Sequence, residues 1–195
     1  MKKFDRLPPE QRKQEIQSAA LALFREKGFA ATTMENIVQQ VSLSKGGVYR
    51  IYPSTAAVLE DLMLEGMRLR NDYYVQRVHS LPAGGLTREI LVEMIVDSLL
   101  LYPEFSQVYV EFLWEKRRNP DLQALYERIC RTTQEETKTL IRDCGAETLL
   151  PEGTLERLTE LMNAGILSLQ VLGLRETFLD SREKIVRAVL SLLQM

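Results

Sequence analysis

Apolar residues recur along this chain at spacings of three and four, and over no convincing length do they alternate with polar ones. That property confines the fold to packed helices, because a half-buried strand needs a period of two. Ile16, Ala19, Ala20, Leu23 and Phe24 make the first stripe, entered after Pro8-Pro9 and left at Lys27-Gly28. Thr32-Thr33 offer a cap to a second helix striped by Met34, Ile37, Val38 and Val41, which Ser42-Leu43-Ser44 break after barely two turns. The pattern predicts a third, short helix over 45–51. A fourth is predicted from Ser54 to about Arg77, with Val58, Leu59 and Leu62 at its start. Past the turn Leu81-Pro82-Ala83-Gly84-Gly85, longer helices are predicted over about 87–102, 104–118, 121–143, 154–174 and 181–193. The breaks between them carry Tyr102-Pro103, Asn119-Pro120 and a stretch from Gly145 to Gly153 around Pro151. The expectation is an all-α chain with a small three-helix domain over 1–55 and a larger helical domain over 56–195.

Composition removes several classes of function. Hydrophobic residues make up 45% of the 195, enough for a core, yet the longest apolar runs are only a handful of residues. A helix crossing a bilayer would need about 20. The basic start Met1-Lys2-Lys3-Phe4-Asp5-Arg6 leads into Leu7-Pro8-Pro9-Glu10 rather than an apolar segment, so no signal peptide is expected and the expected address is cytoplasmic. Cys130 and Cys144 have neither metal-ligand nor disulfide-framework spacing, and are expected to be ordinary thiols on or near one helix. His79 is the one histidine, with no second ligand in register. A helical enzyme or metal carrier would need a nucleophile–base pair, a metal cluster or a phosphate loop. None is found, so neither catalysis nor a cofactor is expected.

The net charge of −2 hides an asymmetry. Up to Thr55 there are nine Lys/Arg against five Asp/Glu, while the remainder holds sixteen against twenty-two. A basic head on an acidic body suits a chain whose first segment meets phosphate.

The segment from Ser44 to Tyr52 sharpens that reading. Two short helices joined by a tight turn and covered by a longer one describe a helix-turn-helix unit. Its second helix would enter the major groove by its N-terminal end. Ser44 can cap that helix and Lys45 supplies charge. Gly46-Gly47 let the backbone come close, at a cost in helix propensity of about 1 kcal/mol each. Tyr49 and Tyr52 offer hydroxyls to phosphate oxygens, and Arg50 can reach a phosphate or the N7/O6 edge of guanine.

These residues resemble a known family. Ile16 through Phe24, Lys27-Gly28-Phe29, Thr32-Thr33-Met34 and Ile37-Val38 are similar to the opening of the tetracycline-repressor (TetR) family. Val41-Ser42-Leu43-Ser44-Lys45-Gly46-Gly47-Val48-Tyr49 and Tyr52-Pro53-Ser54 are similar to its turn and recognition helix. The resemblance covers roughly the first 60 residues. It implies that Thr33 caps the second helix and touches a phosphate, that Lys45, Gly47 and Arg50 face the groove, and that Tyr49 and Tyr52 clamp the backbone. Two positions depart from the pattern. Thr55 stands where the family usually has a lysine, followed by Ala56-Ala57, so that contact would be at most one weaker hydrogen bond. Lys2, Lys3 and Arg6 are candidates to compensate. Ile51 stands where an aromatic or histidine is frequent.

The function expected is a DNA-binding transcription regulator, a repressor of a palindromic operator released by a small molecule. A protein that binds such sites does so as a dimer. Leu155, Leu158, Met162, Gly165, Leu169 and Leu172, with Ile185, Val186, Val189, Leu192 and Leu193, supply stripes for a four-helix dimer face. Ala164, Gly165 and Ser168 would permit close approach. Met94, Ser98, Tyr102, Phe105, Tyr109, Phe112 and Tyr126 gather aromatic surface for an effector pocket, and imply an apolar or aromatic effector. The acid pairs Glu93/Asp97 and Glu111/Glu115 are expected on solvated faces. The alternative is a helical adaptor that binds a partner protein through its C-terminal helices.

Overall fold

The computed structural model describes residues 8–149 and 153–192. Ten α-helices follow one another, and no strand occurs among the described residues. The head contains α1 (Pro9–Lys27), α2 (Met34–Gln40) and α3 (Lys45–Ile51). The long α4 (Thr55–His79) leaves it, and α5 (Arg88–Ser98), α6 (Pro103–Glu115), α7 (Pro120–Asp143), α8 (Thr154–Val171), α9 (Arg175–Asp180) and α10 (Arg182–Leu192) complete the body. Local chemistry sets most boundaries. Thr33, Ser44, Ser54 and Thr87 each accept a hydrogen bond from the backbone N–H three residues on, and Asn119 caps α7 ahead of Pro120. Gly28 ends α1 at φ +82°, a conformation that side chains rarely tolerate.

Two apolar cores lie one above the other along α4. The lower joins Ile16, Ala20 and Phe24 of α1, Ile37 of α2, Val48 and Tyr52 around α3, and Val58, Leu59 and Leu62 of α4. The same core takes Val108 and Phe112 from α6 and Leu122, Leu125 and Ile129 from α7. The upper gathers Tyr74 and Val78 of α4 with Leu91, Val92 and Met94 of α5, Ile141 of α7, Leu158 of α8 and Val186 of α10. The division expected between 55 and 56 thus falls at the start of a helix whose first turns pack into a core shared by head and body.

Side-chain bonds tie the same two parts. Arg25 Nε donates to Gln107 Oε1 at 3.1 Å, Gln107 Nε2 returns to the Arg25 carbonyl at 3.3 Å, and the Phe29 N–H reaches Glu111 Oε2 at 3.4 Å. Glu111 therefore faces the head, not open solvent as its i, i+4 spacing suggested. Glu93 and Asp97 are also engaged, by Arg182 of α10 at 3.9 Å and at 2.6 and 2.8 Å.

The expected spans 87–102 and 104–118 are each cut short at their C-terminal end. The chain needs a bend before Pro103, and Tyr102 supplies it in the left-handed region at φ +49°. The expected helix 154–174 stops at Val171, and α9, absent from the sequence reading, turns the chain into α10. Pro151, Leu193, Lys2, Lys3 and Arg6 lie outside the described residues.

Candidate nucleic-acid interface

The turn between α2 and α3 is held from outside. Glu15 of α1 accepts from the Ser42 backbone N–H at 2.5 Å and from its hydroxyl at 3.0 Å, pinning the turn to the covering helix. Val48 is wholly buried beneath α3, and Val38, Val41, Leu43 and Ile51 pack against the same core. The fixed crossing of α2 and α3 follows from these apolar contacts. Ile51 is a packing residue.

With Val48 inside, the opposite face of α3 is presented outward. Ser44 Oγ accepts from the Gly47 N–H at 3.2 Å, satisfying one free donor of the helix start. Lys45, Gly46 and Arg50 are exposed. The two glycines differ. A Cβ at Gly47 would stand 3.3 Å from Ser44 Oγ and 3.7 Å from the Leu43 side chain, so the cap and the turn ask for a small residue there. A Cβ at Gly46 would meet nothing within 4 Å. Among the described residues nothing accounts for that glycine at position 46, which weakens the helix and leaves bare backbone on its outer face.

The polar groups on this face are arranged around Glu35, a residue the sequence reading passed over. Lys45 Nζ lies 3.0 Å from Glu35 Oε1, and the Tyr49 hydroxyl donates to the same oxygen at 3.0 Å. The ammonium also lies 5.6 Å from the centre of the Tyr49 ring. The hydrogen bond from Lys45 holds the Glu35 carboxyl below its ordinary pKa. The same bond raises the Lys45 ammonium, and the bond to Glu35 raises the Tyr49 phenol. All three keep their ordinary charges at neutral pH. Arg50 has no hydrogen bond or ion pair to a described residue, so its guanidinium is free to meet a phosphate or a base edge.

Tyr52 is placed differently from the expectation. Its ring is 5% exposed, inside the lower core, and its hydroxyl donates to Asp61 of α4. Lys13 Nζ lies 3.0 Å from the same carboxylate, and Gln17 Nε2 donates to it at 2.8 Å. Burial, followed by the bond to Asp61, pushes the phenol well above its ordinary pKa. Tyr52 therefore joins the recognition helix to α1 and α4, and its hydroxyl proton is committed to Asp61. The aromatic ring at the end of an amphipathic helix was the available signal for this packing role. Thr33 caps α2 in a reciprocal box with Asn36. Ser54 caps α4, which places Thr55, half-buried, in its first turn.

The residues expected to line a pocket divide three ways. Ser98, Tyr102, Phe105 and Tyr109 line a lower cavity of about 50 Å³ with Met63, Gly66, Met67 and Arg70. Met94 instead lines an upper cavity of about 40 Å³ between α4, α5, α7 and α8. Phe112 is wholly buried in the lower core, its ring centre 5.8 Å from that of Tyr109 and 6.3 Å from that of Tyr126. Tyr126 packs on that core, and its hydroxyl accepts from Asn163 at 2.9 Å.

The expected dimer face also turns inward. Leu158 and Leu169 are 3% and 4% exposed, Met162 lines the upper cavity, and Gly165 lies where a Cβ would stand 3.0 Å from Leu99. The small residue lets α8 approach the body of its own chain. Ile185 and Val189 pack on the upper core. At this end of the chain the apolar side chains left in water include Leu161, Leu167, Val171, Leu172 and Leu174 on or just after α8, Leu179 of α9 and Leu192 of α10, while Leu64 and Trp114 are exposed elsewhere; Val171 and Leu172 are 62% and 66% exposed.

Among the described residues no three His, Cys, Asp or Glu stand together as a metal site, and no helix is long and apolar enough to cross a membrane. Cys130 and Cys144 are both free and half-buried.

Comparison with known proteins gives three kinds of likeness. Residues 16–62 match the family of bacterial regulatory proteins described as the tetR family. Over 58 residues the chain is 36% identical to an uncharacterized HTH-type transcriptional regulator, YfiR, of Bacillus subtilis (strain 168); the match takes in 30% of this chain and 28% of that one. Among solved structures, GusR of Salmonella enterica superposes with a TM-score of 0.74 at 19% identity, covering 96% of this chain and 97% of its own. A transcriptional regulator from Saccharomonospora viridis, crystallised in complex with choline, superposes at 0.65 and 18% identity over 89% and 96%.

Proposed function

From the match of residues 16–62 to the tetR family of bacterial regulatory proteins and from the shared fold, we propose that the chain is a DNA-binding regulator of that family which represses transcription from a palindromic operator, gripping it as a homodimer and releasing it when a small molecule enters the body. The observation that carries the reading is the outer face of α3. There an unneeded glycine, a free guanidinium at Arg50 and a Lys45–Tyr49 pair leaning on Glu35 project together. Lys45 and Tyr49 exchange Glu35 for phosphate oxygens on docking, Arg50 reads or clamps, and the bare backbone at Gly46 comes closest. Thr33 and Ser44 present helix starts to phosphates, Gly47 keeps the cap in place, and Thr55 adds one weak hydrogen bond. Tyr52 acts through Asp61, holding α3 to α4. The protein works in the cytoplasm, where its operator is.

Selection of bound sequences from a random DNA pool tests the class and yields the operator; recovery of no enriched palindrome would sink the reading. Against the selected site, Arg50→Ala is expected to weaken binding by about 1–3 kcal/mol, roughly fivefold to 150-fold. It should also flatten the salt dependence by about one unit of slope if the contact is to phosphate. Unchanged affinity in both respects would remove Arg50 from the interface.

Dimerisation is proposed through the outward face of α8 with the end of α10. An apolar surface holding Val171 and Leu172 more than half exposed is costly in water. Burying it against a second copy brings two heads to half-sites about 34–36 Å apart. Leu172→Glu is expected to give a folded monomer in sedimentation analysis, with operator binding lost in parallel. A variant that stays dimeric would place the interface elsewhere, and a stable complex with an unlike partner would favour the adaptor.

Release works by population shift. The cavities, about 50 and 40 Å³, are smaller than a small-molecule site requires, so an effector must bind a more open body. Opening moves α4 and α6, both of which pack into the head's core, and α6 carries the Gln107 and Glu111 contacts to α1. Tyr102, at positive φ between α5 and α6, is a point where backbone strain of order 1–3 kcal/mol can be relieved.

A further inference from the structure

Arg70 occupies the waist of the molecule. The lower cavity reaches it from Met63, Gly66 and Phe105, and the upper one from Tyr74, Val78 and Met94, so one guanidinium borders both. Among the described residues that line either cavity it alone is charged. It makes no hydrogen bond or ion pair with a described residue. The acids nearby on its own helix are committed to Arg68, with Glu65 at 2.6 and 2.9 Å and Asp72 at 2.6 Å. Those of α5, Glu93 and Asp97, are committed to Arg182. The charge of Arg70 is nonetheless felt inside, since it draws down the buried phenols of Tyr74 and Tyr109 against the upward push of burial.

A partly desolvated cation with five N–H donors and no acceptor is costly to a fold. Its location, half-buried and bordering two cavities, gives that cost a purpose. A second group points the same way. Thr133 of α7 borders the upper cavity with Arg70, and its buried hydroxyl has no hydrogen-bond partner among the described residues. Beyond these two, the upper cavity is walled chiefly by Val78, Leu86, Leu91, Ile95, Leu140 and Leu158. A cation and an unpartnered hydroxyl on the wall of a mainly apolar slot are complementary to one negative charge on an apolar tail. A dianion would want a second cation, and a cationic ligand would be repelled.

We propose that the effector is a monocarboxylate with an apolar tail, its carboxylate held by Arg70 and Thr133 and its tail in the upper cavity. This rests on the reading of the chain as effector-responsive, and narrows an apolar or aromatic effector to an acidic one. The charge is what triggers opening: the ligand supplies the acceptor that the closed body lacks.

Binding of octanoate and 3-phenylpropionate is compared by calorimetry with that of octan-1-ol, 3-phenylpropan-1-ol and octylammonium, on the full chain and on Arg70→Met and Arg70→Glu. At least one carboxylate is expected to bind the unaltered protein ten times or more tighter than its alcohol. That preference should vanish in R70M and turn toward octylammonium in R70E. R70M without ligand should melt within a few degrees of the parent, because no partner is lost. A preference that survives in R70M, carboxylates no tighter than alcohols, or no binding by any probe would each overturn the proposal. Operator binding measured alongside separates the two readings. If alcohols release DNA as well as acids do, effector control stands and the acid fails. If carboxylates bind through Arg70 without changing operator affinity, the site stands and the regulatory reading fails.

Discussion

Gly46→Leu is expected to leave the protein at least as stable as before and to cost it ten times or more in operator affinity. The two halves come from the same fact. A Cβ at position 46 meets nothing within 4 Å, so the new side chain starts into open space on the exposed face of α3. Replacing glycine by a good helix former recovers up to about 1 kcal/mol, a melting temperature higher by a few degrees at most. On the DNA side, four extra carbons stand between the helix backbone and the groove floor that it is proposed to approach. A tenfold loss is about 1.4 kcal/mol, within the range of about 1–3 kcal/mol for one good base contact, so a larger loss follows if the helix is lifted off more than one. Gly47→Leu is not an equivalent test, because it crowds Ser44 and Leu43 and would lose the cap as well. Melting and a binding isotherm on Gly46→Leu decide the matter together: full affinity in the variant would mean that α3 does not meet DNA by this face.

Phe112→Ala is expected to have the largest effect on stability of any single truncation in the aromatic cluster, about 3–5 kcal/mol. The side chain is wholly buried at the junction of α1, α4, α6 and α7, against Tyr109 and Tyr126. Removing it leaves a cavity that well-anchored helices close only partly. Against a total stability of about 5–15 kcal/mol the loss is severe, and at 2–4 °C per kcal/mol it lowers the melting temperature by roughly 10 °C. Had Phe112 been a wall of the effector cavity, as its spacing with Phe105 and Tyr109 suggested, truncation would have enlarged that cavity at little cost. Thermal melting separates the two, and a shift of no more than a degree or two would return Phe112 to the pocket. Phe105, partly exposed on the lower cavity, should lose much less on the same change.

Both predictions turn on which way a side chain faces, and that is where sequence and structure divided the work. Periodicity of three and four, proline entries, hydroxyl caps and exit glycines are local matters. They were sufficient for an all-helical chain, for α3 over the residues expected of it, and for the long connector α4. The order of small, basic and aromatic residues from Ser44 to Tyr52 pointed to a recognition helix by the same local logic, and the family likeness of the first 60 residues rests there. Facing is not local. A helix stripe states that one side is apolar without saying what covers it. Leu158, Met162 and Leu169 are therefore core of their own chain while Val171 and Leu172 meet water. Partners distant in sequence were equally hidden. Glu35 beneath Lys45 and Tyr49, Asp61 beneath Tyr52, and the missing acid beside Arg70 exist only once α2, α3, α4 and α7 are packed. Backbone hydrogen bonding and amphipathicity, set within a few residues, were decided by the sequence. Charge pairing and the cavities, set by helices that meet across 9 to 82 residues of chain, were decided by the tertiary structure alone.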